Sequence, residues 1–271
     1  MSLKISIITP NYNYGHFIGQ TIESILNQNY DNIEHIIVDD GSTDNSVEII
    51  GKFVEKYPGR IKLIRQTNKG QTRAINVGLR HAQGDIVGWI NSDDLYQKDA
   101  IGKIMEEFNK SQECNIVFGD LSIIDKNGKI IRLVKQLPMD KTVGSLKGFG
   151  KLVASNTVFW RTDLMAKTGL LNEEFICNMD GEYFSRLFHA GKSKHINTCI
   201  SSFRVHPSSI SSEVNPEKTK RYHFELEYEL KNSYSRLLIS KFIPFRMSGP
   251  IRIIFRFKRA AQRFVKGHYY R

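Results

Sequence analysis

Short apolar runs alternate with amphipathic segments through the first third of the chain. The apolar runs have the length and β-branched content of buried strands, and they lie at residues 4–9, 33–38, 61–64 and 86–90. The segments between them place their apolar side chains on one helical face, and they lie at residues 17–26, 46–57 and 72–82. This alternation predicts an α/β fold with a parallel, Rossmann-like sheet, right-handed crossovers and helices on both faces.

The second half of the chain departs from this strict alternation. Another strand is predicted at 116–120, and the turn residues Asp125-Lys126-Asn127-Gly128 between two apolar runs indicate a hairpin over 121–134. A further strand is predicted at 156–161, followed by a helix that begins at Asp163 and ends before Gly169.

Polar residues end three of the predicted parallel strands. They are Thr9-Pro10-Asn11, Asp39-Asp40 and Asp93-Asp94. Since the carboxyl ends of parallel strands meet at one edge of a sheet, we expect Thr9, Asp40 and Asp94 to converge there. Aspartate is a hard oxygen ligand, so this edge is suited to a divalent cation that also grips a diphosphate. The alternative is that Asp93 and Asp94 are solvated or cap the helix predicted over 97–109.

Composition narrows the classes of protein and partner. The chain has 271 residues and a formal charge of +11, a surplus that favours nucleic acid, phosphorylated substrates or anionic lipid as partners. Three widely spaced cysteines match neither a disulfide framework nor a zinc site, which favours a reducing compartment. With no signal-peptide pattern and no uncharged apolar run of membrane-spanning length, we expect a cytoplasmic protein whose membrane contact, if any, is peripheral on the inner face.

Four motifs in order carry a resemblance to a known family. They are Ile7-Ile8-Thr9-Pro10-Asn11-Tyr12-Asn13, Val38-Asp39-Asp40-Gly41-Ser42-Thr43-Asp44, Asn76-Val77-Gly78 followed by Ala82-Gln83-Gly84-Asp85, and Asn91-Ser92-Asp93-Asp94. The sequence resembles glycosyltransferase family 2. The resemblance implies a GT-A fold, that of nucleotide-diphospho-sugar transferases, in a domain over 1–212. Residues 213–271 are then expected to form a helical, basic C-terminal extension.

The resemblance implies a donor site and a metal site. It assigns the nucleotide-sugar to Thr9, Pro10, Asn11, Tyr12, Asp40, Lys69, Arg73 and Asp93. A divalent cation, Mn²⁺ or Mg²⁺, is assigned to Asp94 as the direct ligand and to His206 of the Arg-x-His segment at 204–206. The alternatives for His206 are a donor to a phosphate oxygen and a structural residue. The family often has an arginine at the position of Ile75, just before Asn76. Lys69 or Arg73 would then contact the nucleotide instead, and the alternative is that either is a solvated cation.

A second acidic motif implies the catalytic base. Residues 178–187 resemble the family motif at the head of a helix, in which a carboxylate deprotonates the acceptor hydroxyl, and this places Asp180 at the base position. Met179 replaces the usual preceding glutamate, and Glu182 is the rival candidate. The alternative for Asp180 is a helix cap. The implied reaction is inverting transfer of a sugar from a nucleoside diphosphate sugar, with uridine diphosphate the usual carrier in the family.

The C-terminal extension carries a basic helical face. Basic side chains recur at steps of three and four residues, at Arg252, Arg256, Arg259, Arg263 and Lys266. Such a face suits an anionic membrane surface, although a helix packed on the domain is equally compatible with the pattern. Membrane contact would favour a lipid-linked saccharide as acceptor in cell-surface polysaccharide synthesis, the other acceptor class being a free saccharide.

Two rival functions predict different features. A sugar nucleotidyltransferase would share the sheet and the metal, but it would have a Gly-rich basic loop where this chain has Pro10-Asn11-Tyr12-Asn13-Tyr14. A nucleic-acid-binding protein would explain the charge and the 11% aromatic content but not the acidic strand ends. No Gly-x-Gly-x-x-Gly follows the first strand, and no Gly-x-x-x-x-Gly-Lys-Ser/Thr loop is present. We therefore expect a transferase that does not bind nucleic acid.

Overall fold

The computed structural model describes residues 2–207, 209 and 215–236. The strands in this part of the chain are β1 (Ile5–Asn11), β2 (Ile33–Asp39), β3 (Ile61–Arg65), β4 (Ile86–Trp89), β5 (Leu95–Tyr96), β6 (Ile116–Ile124), β7 (Ile130–Val134), β8 (Val158–Arg161) and β9 (Ser193–Arg204). The helices are α1 (Gly15–Leu26), α2 (Ser46–Lys56), α3 (Gln71–His81), α4 (Ala100–Lys110), α5 (Lys141–Lys147), α6 (Thr162–Thr168), α7 (Met179–Ala190) and α8 (Pro216–Ser235). The α/β class predicted from the sequence is confirmed.

One half of the sheet is parallel, as predicted. β1 lies between β2 and β4 and pairs in parallel with both, and β3 continues the sheet beyond β2. Helices cover both faces because successive side chains of a strand point to opposite sides. Ile8 of β1 packs with Ile75 of α3, whereas Ile7 packs with Ile101 of α4 on the other face. The register of β1 therefore fixes where both layers of helices sit.

The other half of the sheet is mixed. β8 is antiparallel to β4 and to β6, and β9 returns parallel to β6, so the strand order is β3-β2-β1-β4-β8-β6-β9-β5. The predicted hairpin is confirmed, since β6 and β7 pair antiparallel and Gly128 adopts the left-handed φ of 85° in the turn. The twelve-residue β9 was not predicted, because its polar run from Ser193 to Cys199 lacks the apolar pattern of a buried strand.

β7 pairs with β6 outside the main path of the sheet and is exposed on both faces. Its large apolar side chains Ile130, Ile131 and Leu133 are 57%, 59% and 55% exposed. Exposed cations alternate with them along this segment, at Lys129, Arg132 and Lys135. The described part of the chain thus presents one apolar strand edge bordered by positive charge.

α8 packs on α5 and α7. The predicted division after residue 212 falls between the described segments and stays a prediction. The basic helix predicted over 252–266 lies outside the described residues. No helix in the described part of the chain has both the length and the apolar character needed to cross a membrane.

Close packing of α3 on β1 depends on Gly78. A Cβ atom at this position would lie 2.4 Å from Cγ2 of Ile8, whereas one at Gly51 of α2 would have nothing within 4 Å. Gly78→Ala should lower the free energy of unfolding by about 1–3 kcal/mol because the helix must move off the strand. Gly51→Ala should raise it by about 0.5–1 kcal/mol, since alanine favours the helical backbone. Urea unfolding followed by circular dichroism measures both, and shifts in the same direction would contradict this account.

Candidate active site

The carboxyl ends of β1 and β2 are joined by polar contacts. The register places Asn11 opposite Asp39, and Asn11 Nδ2 donates to Asp39 Oδ1 at 2.9 Å. The backbone N–H of Asp40 donates to the Asn11 carbonyl at 2.8 Å. Asp39 also accepts the Ser42 N–H at 3.1 Å, which starts the turn after β2. The sheet edge expected from the sequence therefore brings these polar strand ends together.

Asp40 organises the loop that leads into α3. Its carboxylate accepts Gln66 Nε2 at 2.6 Å and the backbone N–H groups of Lys69 and Gly70 at 2.9 and 2.7 Å. Gly41 allows this close approach, because its φ is 80° and a Cβ atom there would lie 3.0 Å from the Asn68 nitrogen. An open cleft of about 590 Å³ lies beside the loop, lined by Gly41, Ser42, Arg65, Gln66, Thr67 and Asn68.

The acidic loop after β4 is buried, and Asp94 lies at its base. The side chain of Asp94 accepts the Arg204 N–H at 2.9 Å through Oδ1 and Asn156 Nδ2 at 3.2 Å through Oδ2. Asn91 Nδ2 lies 3.5 Å from the same Oδ2. Burial, followed by the negative charge of Asp93, raises the pKa of Asp94 well above its ordinary value. These contacts make Asp94 a group that holds the loop in place.

Asp93 instead faces His206. Asp93 Oδ2 lies 3.0 Å from His206 Nε2, and the imidazole ring packs against Tyr14 and Phe17 at centroid distances of 5.8 and 4.7 Å. Burial raises the pKa of Asp93, against the lowering effect of its contact with His206. The two side chains present an oxygen and a nitrogen donor in one place.

Arg204 supports this loop from below. Its guanidinium is buried, donates to the Asp93 carbonyl at 2.7 Å and to Gln20 Oε1 at 2.8 Å, and lies 4.9 Å from the ring centroid of Phe17. Burial lowers the pKa of Arg204, opposed by the charges of Asp93 and Asp94. The cluster thus places one guanidinium beside two carboxyl groups.

The donor set fits a divalent cation in part. An aspartate oxygen and an imidazole nitrogen are common ligands of transition-metal ions, and both belong to Asp93 and His206. Within the described residues no group of three His, Cys, Asp or Glu side chains is placed to hold an ion. Further ligands would have to come from a diphosphate or water, as is usual where a metal bridges protein and substrate.

Asp180 lies in the first turn of α7. The residue before this helix is Asn178, so Asp180 does not occupy the cap position that the alternative hypothesis assigned to it. It is half-buried, its Oδ1 accepts the Gly181 N–H at 2.8 Å, and burial raises its pKa. The rival carboxylate, Glu182, is bound to Arg186 at 2.6 Å in the same helix. Asp180 is therefore the better candidate for a proton acceptor.

The first turn of α3 connects α7 to the acidic loop. Thr72 Oγ1 lies 2.9 Å from the sulfur of Met179, immediately before Asp180. The preceding Gln71 donates through Nε2 to Asn91 Oδ1 at 2.9 Å, at the start of the acidic loop. Asp40 shapes the backbone just before this turn through Gly70. One turn of helix thus contacts the acidic loop and the start of α7, and Asp40 holds the backbone just before it.

The other residues predicted to bind the nucleotide-sugar differ in their burial and contacts. Thr9 is buried, with its hydroxyl 2.8 Å from His35 Nε2, and the Pro10 carbonyl accepts the Ser92 hydroxyl at 2.6 Å. Tyr12 is 43% exposed at the sheet edge. Lys69 is exposed in the loop held by Asp40, whereas Arg73 on α3 pairs with Glu173 at 3.1 Å. Their roles in binding a nucleotide-sugar stay predictions.

Three residues of this site were not predicted. Arg204 was noted only as part of the Arg-x-His segment, and its burial beneath the acidic loop follows from the unpredicted strand β9. Gln71 and Asn156 reach the acidic loop from distant parts of the chain. Neither has a spacing or a neighbour in the sequence that distinguishes it from other amide side chains.

Comparisons with known proteins agree with this architecture. Chondroitin synthase of Escherichia coli is 29% identical over 238 residues, which cover 88% of this chain and 34% of that protein. TarS of S. aureus in complex with UDP-GlcNAc superposes with a TM-score of 0.68 at 20% identity, covering 89% of this chain and 73% of that one. The mannosyltransferase PcManGT of Pyrobaculum calidifontis, in complex with GDP-Man and Mn²⁺, has a TM-score of 0.60 at 16% identity, covering 99% and 82%.

The curated relatives are longer proteins. The chain spans between about a fifth and about half of the length of those it matches. The model of Glycosyl transferase family 2 matches residues 6–162, which is more than half of the chain. The GT-A fold expected from the motifs is confirmed by the solved structures. The matched segment contains β1 to β4, the acidic loop and β8, and the chain belongs to glycosyltransferase family 2.

Proposed function

We propose that this protein transfers a sugar from a nucleoside diphosphate sugar to a hydroxyl group of an acceptor, with inversion at the anomeric carbon. The observation that carries the proposal is the single turn of α3 that connects the acidic loop with the start of α7. A donor diphosphate at the loop and an acceptor hydroxyl at Asp180 would then lie on the two sides of this turn. One displacement needs one base, and no second catalytic carboxylate is required.

The donor is proposed to be a UDP-sugar bound at the sheet edge. The cleft beside Ser42 and Gln66 is open and follows the polar ends of β1 and β2, where open α/β sheets bind ligands. TarS, which shares the fold, was crystallised with UDP-GlcNAc, and this supports uridine diphosphate as the carrier. Tyr12 is exposed at the same edge and is proposed to contact the nucleotide.

Asp93 and His206 are proposed to hold a divalent cation, Mn²⁺ or Mg²⁺. This departs from the expectation that Asp94 is the direct ligand, because both Asp94 oxygens receive N–H groups of the protein. The structural neighbour PcManGT was crystallised with Mn²⁺, which supports metal use. When bound, the cation would neutralise charge that develops on the departing diphosphate.

Asp180 is proposed to accept the proton of the attacking hydroxyl. Its burial favours the neutral form and so strengthens it as a base. The acceptor is proposed to be a saccharide, free or lipid-linked, in the synthesis of a cell-surface polysaccharide. The similarity to chondroitin synthase supports a polysaccharide product. Cytoplasmic location with peripheral membrane contact is proposed with it, through basic residues outside the described part of the chain.

Metal-dependent nucleotide binding tests the donor site. A ligand that binds the folded state raises its stability, so UDP with Mn²⁺ should raise the unfolding midpoint of the wild-type protein more than UDP alone. Asp93→Asn should abolish the increment due to Mn²⁺ because it removes a metal ligand. Asp163→Asn, on the exposed first turn of α6, is the control and should keep it. Thermal scans with UDP and GDP measure this, and an increment that survives in Asp93→Asn would remove the proposed metal site.

Asp94 should behave differently from Asp93. Asp94→Asn places an amide where Arg204 and Asn156 donate, so at least one buried donor loses its partner. We expect a loss of about 1–3 kcal/mol in the free energy of unfolding without any ligand. Urea unfolding of the two variants side by side separates the roles. An Asp94→Asn protein as stable as the wild type, yet without the Mn²⁺ increment, would return the direct ligand to Asp94.

Turnover of the Asp180 variant tests the base. Asp180→Asn should lower the rate of nucleoside diphosphate release from a panel of UDP-sugars by about 10²–10⁴-fold, since the general base is lost. Its thermal shift with UDP should be unchanged, because Asp180 lies on α7 and not at the sheet edge. Release is measured with water and with a panel of oligosaccharides as acceptors, and proton NMR of the product gives the anomeric configuration. Full activity in Asp180→Asn would exclude it as the base, and retention of configuration would exclude the inverting reaction.

A further inference from the structure

α8 lies beyond the segment matched by the family model and contacts the start of α7. Its inward face carries Glu225, Leu226, Glu229 and Ser233, which are 3%, 8%, 1% and 0% exposed. Two of these four side chains are carboxylates, which are rarely buried unless they have partners. The outward face carries Glu227, whose side chain is 60% exposed and pairs with Lys231. Two carboxylates of this helix are therefore buried, where they do not contribute to solubility.

Glu225 binds the backbone that leads into α7. Its carboxylate accepts the N–H groups of Ile176, Cys177 and Asn178 at 3.1, 2.9 and 2.8 Å. Arg221 Nε donates to the same carboxylate at 2.8 Å. Since these N–H groups precede the first turn of α7, Glu225 fixes the direction in which this helix begins.

Glu229 joins α7 to the segment after α5. Oε1 accepts the Phe149 N–H at 2.7 Å, and Oε2 accepts Asn178 Nδ2 at 2.8 Å. A Cβ atom at Gly181 would lie 2.9 Å from Glu229 Oε2, so the backbone next to Asp180 approaches this carboxylate closely. A Cβ atom at Gly150 would lie 3.3 Å from Asp180 Oδ1 and 3.1 Å from Gly181 Cα, so the backbone at Gly150 also lies beside Asp180. Glu229 thus joins two backbone segments that lie next to Asp180.

We propose that Glu229 is a positioning residue for Asp180, and that α8 completes the acceptor side of the active site. The inference rests on the proposed role of Asp180 as the base. Glu229 would act through the backbone at 178–181 and through its charge, without touching the substrate. α8 then belongs to the catalytic unit although it lies outside the matched segment 6–162.

The charge of Glu229 is coupled to that of Asp180. Burial raises the pKa of Glu229 to about 7, and the negative charges of Asp180 and Glu182 contribute in the same direction. Tyr222, on α8, also faces this pair, and its pKa is raised by burial and by the charges of Asp180 and Glu229. Ionisation of Glu229 near neutrality adds a negative charge beside Asp180 and makes it a stronger base. We expect the reaction to accelerate as the pH rises through 7.

Ionisation of Glu229 has the opposite effect on the stability of the fold to its effect on activity. The pKa of Glu229 is about 7 in the folded protein, against 4.5 for an unperturbed glutamate, so burial of the charged form opposes folding. Its favourable contribution is complete below pH 4.5 and is lost as the pH rises through about 7. Activity that rises while stability falls over one pH interval would distinguish this residue from a group that only holds the fold.

A substrate-free measurement tests the coupling first. Carboxyl carbons of ¹³C-labelled glutamate are titrated by NMR in the wild-type protein and in Asp180→Asn, with Glu229→Gln identifying the Glu229 resonance. We expect Glu229 to titrate near 7 and to shift downward by about one pKa unit in Asp180→Asn, because a like charge is removed. An unshifted Glu229 titration in Asp180→Asn would overturn the proposal.

Turnover of Glu229→Gln tests positioning. Nucleoside diphosphate release from the UDP-sugar found active in the panel is followed from pH 5 to 9, with Glu227→Gln on the outward face of α8 as the matched control. Glu229→Gln should lower kcat by about tenfold at pH 8 and remove the rise near pH 7, with KM for the donor unchanged, because the acceptor side alone is disturbed. Glu227→Gln should follow the wild-type profile.

The outcomes separate this proposal from the proposed function. A wild-type profile in Glu229→Gln, or equal losses in Glu229→Gln and Glu227→Gln, would overturn the positioning role while an inactive Asp180→Asn upheld the base. Activity in Asp180→Asn would instead remove the base, and with it the reason for positioning. Loss of the thermal shift with UDP in Glu229→Gln would also overturn the proposal, since the defect would then extend to the donor side.

Discussion

Two adjacent carboxylates can be held below the surface after β4 because β9 brings hydrogen-bond donors to them. A buried carboxylate without partners is strongly unfavourable, and Asp94 obtains its partners from the backbone N–H of Arg204 and the amide of Asn156. The Arg204 side chain then binds the carbonyl of Asp93. The same strand leads directly to His206, so the placement of both candidate metal ligands depends on where β9 ends.

The parallel half of the fold could be predicted because buried parallel strands are almost continuously apolar. Ile5 to Ile8 and Ile36 to Val38 show this pattern. The rule that parallel strands end at one edge predicted that Thr9, Asp40 and Asp94 converge, and the contacts of Asn11 with Asp39 and of Pro10 with Ser92 join those strand ends. The choice between Asp93 and Asp94 could not be made from the sequence. Adjacent side chains point in different directions, and which of them meets Arg204 is decided by a strand from the far end of the domain.

β9 and the surroundings of α7, the proposed acceptor side, were harder to predict for a related reason. β9 begins with Ser193-Lys194-His195, which lacks apolar alternation, and it becomes a strand through pairing with β6. The contacts of Glu225 and Glu229 join residues about fifty or more positions apart, and no local pattern reports them. The polar ends of β1 and β2 are therefore held mainly by strand register, whereas the acidic loop and the start of α7 are held by long-range hydrogen bonds. A single substitution can therefore change a contact made by one hydrogen bond with less effect on the rest of the fold than it would have in a strand of the sheet.

The exposed edge strand β7 has a consequence for how the protein behaves in concentrated solution. Unpaired backbone groups on a strand with Ile131 and Leu133 exposed form a template to which a second β-strand can add. Such an approach by a second copy would bring like charges together, because the strand and its ends carry Lys129, Arg132 and Lys135. At low ionic strength the two copies therefore repel each other at this edge. At 0.1 M salt this repulsion is largely screened beyond about 10 Å. High ionic strength therefore weakens the electrostatic barrier to edge-to-edge association.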